Sequence, residues 1–319
     1  MIADLPKNIE SASRRIRPFI RKTYFAYSNI FSNLLDAKVR LKMENLQFTG
    51  SFKARGAMNK LLSLTKDQRH KGIVSASTGN HGAAVAYSAE KLDTPCLIFV
   101  PKDASAAKLH NIKNYGAKIQ VYGGDCVESE KKAREVANLN NQIYVSPYND
   151  PYVIAGQGTV GFEIHDQCTG LDVIIISVGG GGLIAGIASY LKSVWPDLHV
   201  IGCSPTNSAV MIHSMNKGEI LDLESKPTLS DGTAGGVEKD AITFPICMEN
   251  IDETVLVTEN EIKDAMISFI KYEHLLLEGA AGTAIAALMK IKDKLKGKRV
   301  GVVICGGNVS IDTIKQIFN

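Results

Sequence analysis

A long apolar segment is missing from this chain. Its hydrophobic runs are strand-sized, such as residues 173–178, well short of the roughly 20 apolar residues that a membrane helix requires. The basic segment around Arg14 and Arg21 is followed by no apolar core and no small-residue cleavage site, which argues against a secretory signal. We therefore expect a cytoplasmic protein with no membrane partner.

Excess charge of either sign is missing as well. The 36 basic side chains exceed the 33 acidic ones by three, and no Lys/Arg cluster alternates with aromatic residues. This balance gives no reason to expect a nucleic-acid partner, and it favours a small-molecule one.

Cysteine is scarce and scattered. The six cysteines form no C-x-x-C pair and no Cys/His spacing typical of zinc ligands. We expect reduced, mostly buried thiols, with neither a disulfide framework nor a metal site.

What the sequence does contain is two series of alternating strands and helices, in 319 residues that fit two domains. The first series has predicted strands at 72–76, 96–100, 118–122 and 142–145, and predicted helices at 81–92, 106–115 and 128–139. The second begins with a helix at 158–168 and has strands at 172–178, 199–203, 253–257 and 299–305. This alternation predicts the α/β class, with two open, mostly parallel twisted sheets flanked by helices. Residues 221–250 show no period, and we expect an irregular loop that carries function.

The segment Thr49-Gly-Ser-Phe-Lys-Ala-Arg-Gly contains an unusually placed lysine. Gly50 permits a tight turn and Ser51 is a suitable N-cap, so Lys53 is predicted in the first turn of a helix at 53–62. The positive end of the helix dipole lowers the pKa of an amine there, as a Schiff-base lysine requires. The alternative, common for an isolated S-F-K sequence, is a solvated surface lysine.

Two more loops lie between a predicted strand and a predicted helix. In Ser75-Ala-Ser-Thr-Gly-Asn-His-Gly, hydroxyls and helix N–H groups suit a carboxylate, although helix capping by Ser77, Thr78 or Asn80 is an equal alternative. In Ser177-Val-Gly-Gly-Gly-Gly, the four glycines allow close approach to an anion and favour phosphate. The second loop also fits a dinucleotide pattern, but Ser204 stands where that pattern requires an acidic residue, so an NAD-dependent oxidoreductase is the weakest interpretation.

Two further motifs are Leu277-Glu-Gly-Ala-Ala-Gly, before a helix, and Ile304-Cys-Gly-Gly-Asn, at the end of the last strand. Ligands of open α/β sheets bind at the carboxyl ends of strands, so we expect these segments and the tetraglycine loop to share one crevice.

Taken in order, six motifs resemble the threonine/serine dehydratase and serine racemase family of fold-type-II pyridoxal-phosphate (PLP) enzymes, which have a tryptophan-synthase-β-like fold. They are Glu44-Asn-Leu-Gln-x-Thr-Gly-Ser-Phe-Lys-x-Arg-Gly-Ala, Ser77-Thr-Gly-Asn-His-Gly, Gly156-Gln-Gly-Thr, the tetraglycine loop, Glu278-Gly-Ala-Ala-Gly and Cys305-Gly-Gly-Asn. The resemblance covers nearly the whole chain. It implies PLP as cofactor, a homodimer, a large PLP-binding domain at 1–47 and 148–319, and a small inserted domain at 48–147.

The resemblance also implies roles for individual residues. Lys53 would form the Schiff base with PLP and act as catalytic base, with Phe52 beside the ring. Asn80 would bind the phenolic oxygen of PLP, Cys305 would face its pyridine nitrogen, and Glu278 would complete the cofactor site. The residues that would hold the phosphate are Gly179, Gly180, Gly181 and Gly182. The substrate would contact Ser77, Thr78, Gly79, Asn80 and His81, with Ser77 and Thr78 also in the catalytic set and no metal ligand among them.

By this resemblance we expect an ammonia-lyase acting on L-threonine or a related 3-hydroxy amino acid such as L-serine. The alternative is a serine racemase with side dehydratase activity, because Thr78 keeps a hydroxyl where racemases have the serine that acts opposite the lysine. Tyr148 favours the dehydratase, since racemases tend to have asparagine there. An alternative of another class is a non-catalytic ligand-binding protein on the same fold.

Overall fold

A six-stranded sheet forms the larger layer of the fold. The structure is a computed structural model that describes residues 4–102, 104 and 106–319, so residues 1–3 of the predicted large domain lie outside the described residues. In pairing order the strands are β1 (Phe25–Tyr27), β2 (Lys38–Met43), β10 (Arg299–Ile304), β7 (Val173–Ser177), β8 (His199–Pro205) and β9 (Glu253–Val257). All neighbours are parallel except β1 and β2.

A four-stranded sheet forms the smaller layer. It is parallel throughout, and in pairing order its strands are β5 (Lys118–Val121), β4 (Cys96–Val100), β3 (Ile73–Ala76) and β6 (Ile143–Tyr144). The predicted α/β class with two mostly parallel sheets is therefore confirmed.

Helices flank both sheets. Their bounds are α1 (Leu5–Ile16), α2 (Asn29–Leu35), α3 (Lys53–Leu62), α4 (Lys66–Lys71), α5 (Asn80–Lys91), α6 (Ala106–Asn114), α7 (Cys126–Leu139), α8 (Pro151–Gln167), α9 (Gly182–Val194), α10 (Val210–Lys217), α11 (Thr243–Asn250), α12 (Glu259–Glu273), α13 (Gly279–Lys290) and α14 (Ile311–Phe318). Short 3₁₀ helices occupy Arg17–Phe19, Glu44–Leu46 and Lys292–Leu295. Among the described residues, none of these helices has both the length and the apolarity needed to span a membrane.

The main core lies on both faces of the six-stranded sheet. Strand β7 is buried along its whole length, as its continuous apolar sequence predicts for a central parallel strand. On one face α8 and α9 approach so closely that a Cβ added at Gly186 would lie 2.5 Å from the carbonyl oxygen of Ile154. These small residues therefore fix the distance between the two helices.

Three sequence expectations need correction. Helix α8 begins at Pro151 rather than at residue 158, because the Asp150 side chain caps the N–H groups of Tyr152 and Val153 at 2.8 and 3.2 Å. An aspartate N-cap followed by proline at the first helical position is a helix-start signal that the sequence interpretation missed. The segment 221–250 includes helix α11, and strands β1 and β2 were not predicted at all.

The cysteines follow the expectation in part. None of the six, all within the described residues, forms a disulfide. Cys203, Cys247 and Cys305 are buried, Cys96 and Cys168 are half-buried, and Cys126 is exposed.

Candidate active site

Lys53 is the first residue of α3, as the sequence predicts. Its Nζ donates a hydrogen bond to the carbonyl oxygen of Pro147 at 2.8 Å and lies 5.3 Å from the centre of the Phe52 ring. Burial lowers the pKa of Lys53 to about 8, although Cys305 and Glu278 act in the opposite direction. The predicted direction is right, but its main cause is loss of hydration rather than the helix dipole.

The residues before Lys53 join the end of strand β10. Ser51 pairs with Gly306 in an isolated antiparallel bridge, and the Phe52 N–H donates to the carbonyl oxygen of Cys305 at 3.0 Å. Ser51 is not the N-cap that the sequence predicts, because Phe52 occupies that position and α3 has no side-chain cap. The Ser51 hydroxyl is fully buried and has no hydrogen-bond partner within the described part of the chain.

The loop before α5 presents backbone N–H groups to the same region. Its N-cap position is Gly79, no side chain caps the helix, and Gly79 N–H donates to the Ser77 hydroxyl at 3.2 Å. The capping alternative for Ser77, Thr78 and Asn80 is therefore wrong. Thr78 is half-buried, and the first-turn N–H groups of α5 have no acceptor within the helix, which suits an anion.

His81 faces away from this anion site. Its Nε2 lies 2.9 Å from the carbonyl oxygen of Val145, and burial together with Lys53 lowers its pKa to about 3. A neutral ring beside a carbonyl oxygen has its proton on Nε2, so Nδ1 is an acceptor and cannot donate to a carboxylate. A contact between His81 and a substrate carboxylate would thus come from its backbone N–H.

Asn80, Glu278 and Asn308 form a network between the two sheets. The Asn80 amide donates to both carboxylate oxygens of Glu278 at 2.9 and 2.8 Å, and it accepts from the Asn308 amide at 2.7 Å. Asn308 also donates through its backbone to Glu278 at 3.3 Å. Sequence motifs include all three residues, but the contact of Asn80 with Glu278 was not predicted, because 198 positions separate them.

Two buried acids lie beside Lys53, and their surroundings raise the pKa of each. Burial raises the pKa of Glu278 to about 7, opposed by the Asn80 amide. Burial also raises the pKa of the Cys305 thiol well above its usual range, and the Glu278 carboxylate adds to this effect. The Cys305 sulfur lies 4.0 Å from Glu278. The thiol is therefore uncharged at neutral pH.

The tetraglycine loop connects β7 to α9, and its shape depends on the absence of side chains. A Cβ at Gly179 would lie 2.9 Å from the Thr233 carbonyl oxygen, and one at Gly180 would lie 2.5 Å from the Tyr148 ring. Gly181, with φ of 85°, adopts the left-handed conformation. The Tyr148 hydroxyl accepts from the Glu238 N–H at 2.9 Å, so the irregular segment encloses this loop.

Comparison with known proteins identifies the family. Residues 16–306 match the family described as pyridoxal-phosphate dependent enzyme. The chain belongs to this family. The chain is 39% identical over 313 residues to the L-threonine ammonia-lyase of Thermotoga maritima, covering 98% of this chain and 78% of that relative. It is 38% identical over 320 residues to the catabolic L-threonine dehydratase TdcB of Escherichia coli, covering 98% and 97% of the two chains.

Solved structures of the family have the same fold. The processed form of threonine deaminase isoform 2 from Solanum lycopersicum superimposes with a TM-score of 0.95 at 29% identity, covering 99% of this chain and 92% of that chain. Maize serine racemase superimposes with a TM-score of 0.92 at 30% identity, covering 98% and 96%. The fold-type-II assignment is therefore confirmed, and PLP is the cofactor of the family to which this chain belongs.

The site's donors fit that cofactor. PLP combines a phosphate dianion with an aldehyde that reacts with an uncharged amine. The first N–H groups of α9 lack acceptors within the helix and point a positive dipole end at the tetraglycine loop. Lys53 provides an amine whose lowered pKa leaves part of it neutral near physiological pH.

Proposed function

We propose that this chain is a PLP-dependent ammonia-lyase that converts L-threonine, or a related 3-hydroxy amino acid such as L-serine, to a 2-oxo acid and ammonia. The observation that carries the proposal is the partly neutral amine of Lys53, which bonds to Pro147 and lies close to Glu278, Cys305 and His81. Relatives named L-threonine ammonia-lyase and L-threonine dehydratase, aligned over 98% of the chain, support the substrate class.

Lys53 would move the proton that begins the reaction. When bound, PLP withdraws electrons from the α-carbon of an amino acid and so stabilises the charge left by a departing proton. With a pKa of about 8, the Nζ of Lys53 is both a competent base near neutral pH and, once protonated, a competent acid. In the cofactor-free protein, a hydrogen bond to the Pro147 carbonyl oxygen holds the amine in place.

The anion sites would orient cofactor and substrate. The phosphate would bind at the start of α9, on the backbone of Gly179, Gly180, Gly181 and Gly182. The substrate carboxylate would bind at the start of α5, on Ser77, Thr78 and the N–H groups of Gly79, Asn80 and His81. Both assignments rest on the N–H groups at a helix N-terminus, which have no acceptor within their own helix.

The remaining residues would act on the ring. Phe52 would pack beside it, and Asn80, now bonded to Glu278, would turn its amide toward the phenolic oxygen. Cys305 would face the pyridine nitrogen with a neutral thiol, which cannot keep that nitrogen protonated as a carboxylate would. The resulting weaker electron withdrawal favours prompt loss of the β-hydroxyl over transamination.

A serine racemase is the second candidate. It is supported by the hydroxyl of Thr78, which caps no helix, and by the similarity to maize serine racemase. Tyr148, which packs its ring on Gly180, favours the lyase. A non-catalytic binding protein is disfavoured because Lys53, the residue that such a protein could lose first, is present.

We also propose a cytoplasmic homodimer with a large domain at 1–47 and 148–319 and a small domain at 48–147. The division is supported by strand membership, since β3 to β6 form one sheet and the strands outside that segment form the other.

Replacing Lys53 with alanine tests the proposal. We expect Lys53→Ala to fold, to lose 2-oxo acid formation from L-threonine and L-serine, and to lose the visible absorption of the wild-type protein. Turnover at the wild-type rate by this variant, or a wild-type protein that gains no visible absorption with PLP, would refute the assignment.

A further inference from the structure

A buried cluster of four ionisable side chains lies between α3 and the elements of the larger layer, and the chemistry proposed above does not use it. Arg55 binds Glu44 through Nε and Nη2 at 2.7 and 2.8 Å, and it binds Glu163 through Nη1 and Nη2 at 2.8 Å each. Lys42 completes the cluster with a 2.6 Å contact to Glu163. The side chains of Lys42, Glu44 and Arg55 are at most 1% exposed.

Charge pairing opposes the cost of burial within the cluster. Burial alone would raise the pKa of Glu44, but the Arg55 guanidinium overrides this effect and holds that pKa below its usual range. Burial likewise opposes the charge on Arg55, but Glu44 and Glu163 raise its pKa. Burial lowers the pKa of Lys42, and Glu163 and Glu44 act in the opposite direction. Two basic and two acidic side chains thus balance in formal charge, as a buried ion-pair cluster requires.

The cluster joins three elements of the larger layer to the helix that begins at Lys53. Lys42 is the last but one residue of β2, Glu44 lies in the following 3₁₀ helix, Glu163 lies on α8, and Arg55 lies on α3. Arg55 is two residues after Lys53, which places it about 200° around the helix. The Lys53 side of the first turn faces the site, and the Arg55 side is held by the cluster.

The Gly156-Gln-Gly-Thr motif adds to the same junction. The Gln157 side chain accepts from the Gly56 N–H at 3.1 Å, and Thr159 accepts from Arg55 at 3.2 Å. A Cβ at Gly156 would lie 2.6 Å from the Arg55 carbonyl oxygen, so α3 and α8 approach as closely as their backbones allow. The motif therefore docks α3 on α8 and does not contact the reacting groups.

We propose that Arg55 is a positioning residue for Lys53. Its planar guanidinium binds the carboxylates of Glu44 and Glu163, which fixes the first turn of α3 and thereby the position of the Lys53 amine. This inference rests on the proposed role of Lys53. Arg55→Lys would keep the positive charge but lose the paired hydrogen bonds, because an ammonium lacks the planar, fixed set of donors with which a guanidinium binds two carboxylates.

The test compares wild type with Arg55→Lys, with the charge-matched double variant Arg55→Met plus Glu44→Gln, and with Lys60→Met as control. The double variant removes one cation and one anion. Glu163, the remaining carboxylate, keeps Lys42 as its cationic partner. Lys60 binds Asp150 at 2.5 Å and joins the far end of α3 to the start of α8, so its loss weakens the same helix pair away from Lys53.

The first readout is hydrogen exchange in the cofactor-free protein at the amides of Arg55 and Gly56. We expect at least tenfold faster exchange there in the double variant, an intermediate rate in Arg55→Lys, and the wild-type rate in Lys60→Met. The second is kinetics and visible circular dichroism of the PLP-loaded protein. We expect kcat to fall by about 10- to 100-fold with KM within about threefold, as a misplaced amine predicts, with a changed dichroic band.

Some outcomes would overturn the proposal. A folded double variant with wild-type kcat, exchange and dichroism would show that the cluster only stabilises the fold. Equal effects in Lys60→Met would show that any loosening of α3 suffices. Failure of the proposed function is distinguishable, because then the wild-type protein itself forms no 2-oxo acid, while the exchange rates still report whether Arg55 fixes the turn.

Discussion

Replacing Glu278 with glutamine should remove a loss of stability that the cofactor-free protein suffers as the pH rises to neutrality. Glu278 is 4% exposed, and burial raises its pKa from 4.5 to about 7. Glutamine keeps the size of the side chain and one oxygen that accepts from Asn80, but its NH2 group replaces a second oxygen that also accepts, and it never ionises. The lost hydrogen bonds cost the same at every pH, so the pH-dependent part of the difference isolates the free energy of burying this carboxylate.

The sign and size follow from the two pKa values. Below pH 4.5 Glu278 is protonated in both folded and unfolded chains and contributes no difference. Between pH 4.5 and about 7 the unfolded chain loses the proton first, so stability falls as pH rises. Above pH 7 the loss is complete: about 2.5 pH units at 1.36 kcal/mol each give about 3 kcal/mol.

The measurement is urea unfolding of wild type and Glu278→Gln at a series of pH values. We expect the stability difference between the two proteins to grow by about 3 kcal/mol from pH 4 to pH 8 in favour of the variant. Glu135→Gln is the matched control, since the Glu135 side chain is 54% exposed, and its difference should stay flat. A flat difference for Glu278→Gln would refute the reasoning and show that the folded protein solvates this carboxylate.

Two further predictions concern the loops. Thr78→Ala should keep 2-oxo acid production within about tenfold, or roughly 1.4 kcal/mol, because threonine is stiffer at χ1 than serine and we expect its hydroxyl to face the substrate carboxylate rather than the α-carbon. An assay of 2-oxo acid measures the activity of the variant, and chiral analysis of the wild-type protein after incubation with L-serine should show little D-serine. D-serine formation that disappears in Thr78→Ala would establish the racemase instead. Gly180→Ala should lose about 1–3 kcal/mol of stability and bind PLP at least tenfold more weakly, since its Cβ would lie 2.5 Å from the Tyr148 ring. Unfolding and PLP titration measure both effects, and Gly236→Ala, whose Cβ would meet no atom within 4 Å, should change neither.

The sequence by itself determined the fold class and the position of the lysine. Alternating strand and helix patterns are local, so they predict parallel sheets, and a run such as β7 shows its double-sided burial in its own composition. The turn at Gly50 and the helix formers after it likewise placed Lys53 at the start of α3 without tertiary information. The start of α8 was missed although its signal is also local, an Asp150 N-cap followed by Pro151.

Only the tertiary structure decided which distant groups meet. The contact of Asn80 with Glu278 depends on how the ends of two separate sheets approach, and no sequence period records that approach. The pKa of Lys53 is set mainly by burial, which several surrounding segments create together. The ion pairs of Arg55 require carboxylates from two other elements. Secondary structure depends on neighbours within a few residues, whereas desolvation and charge pairing depend on neighbours in space.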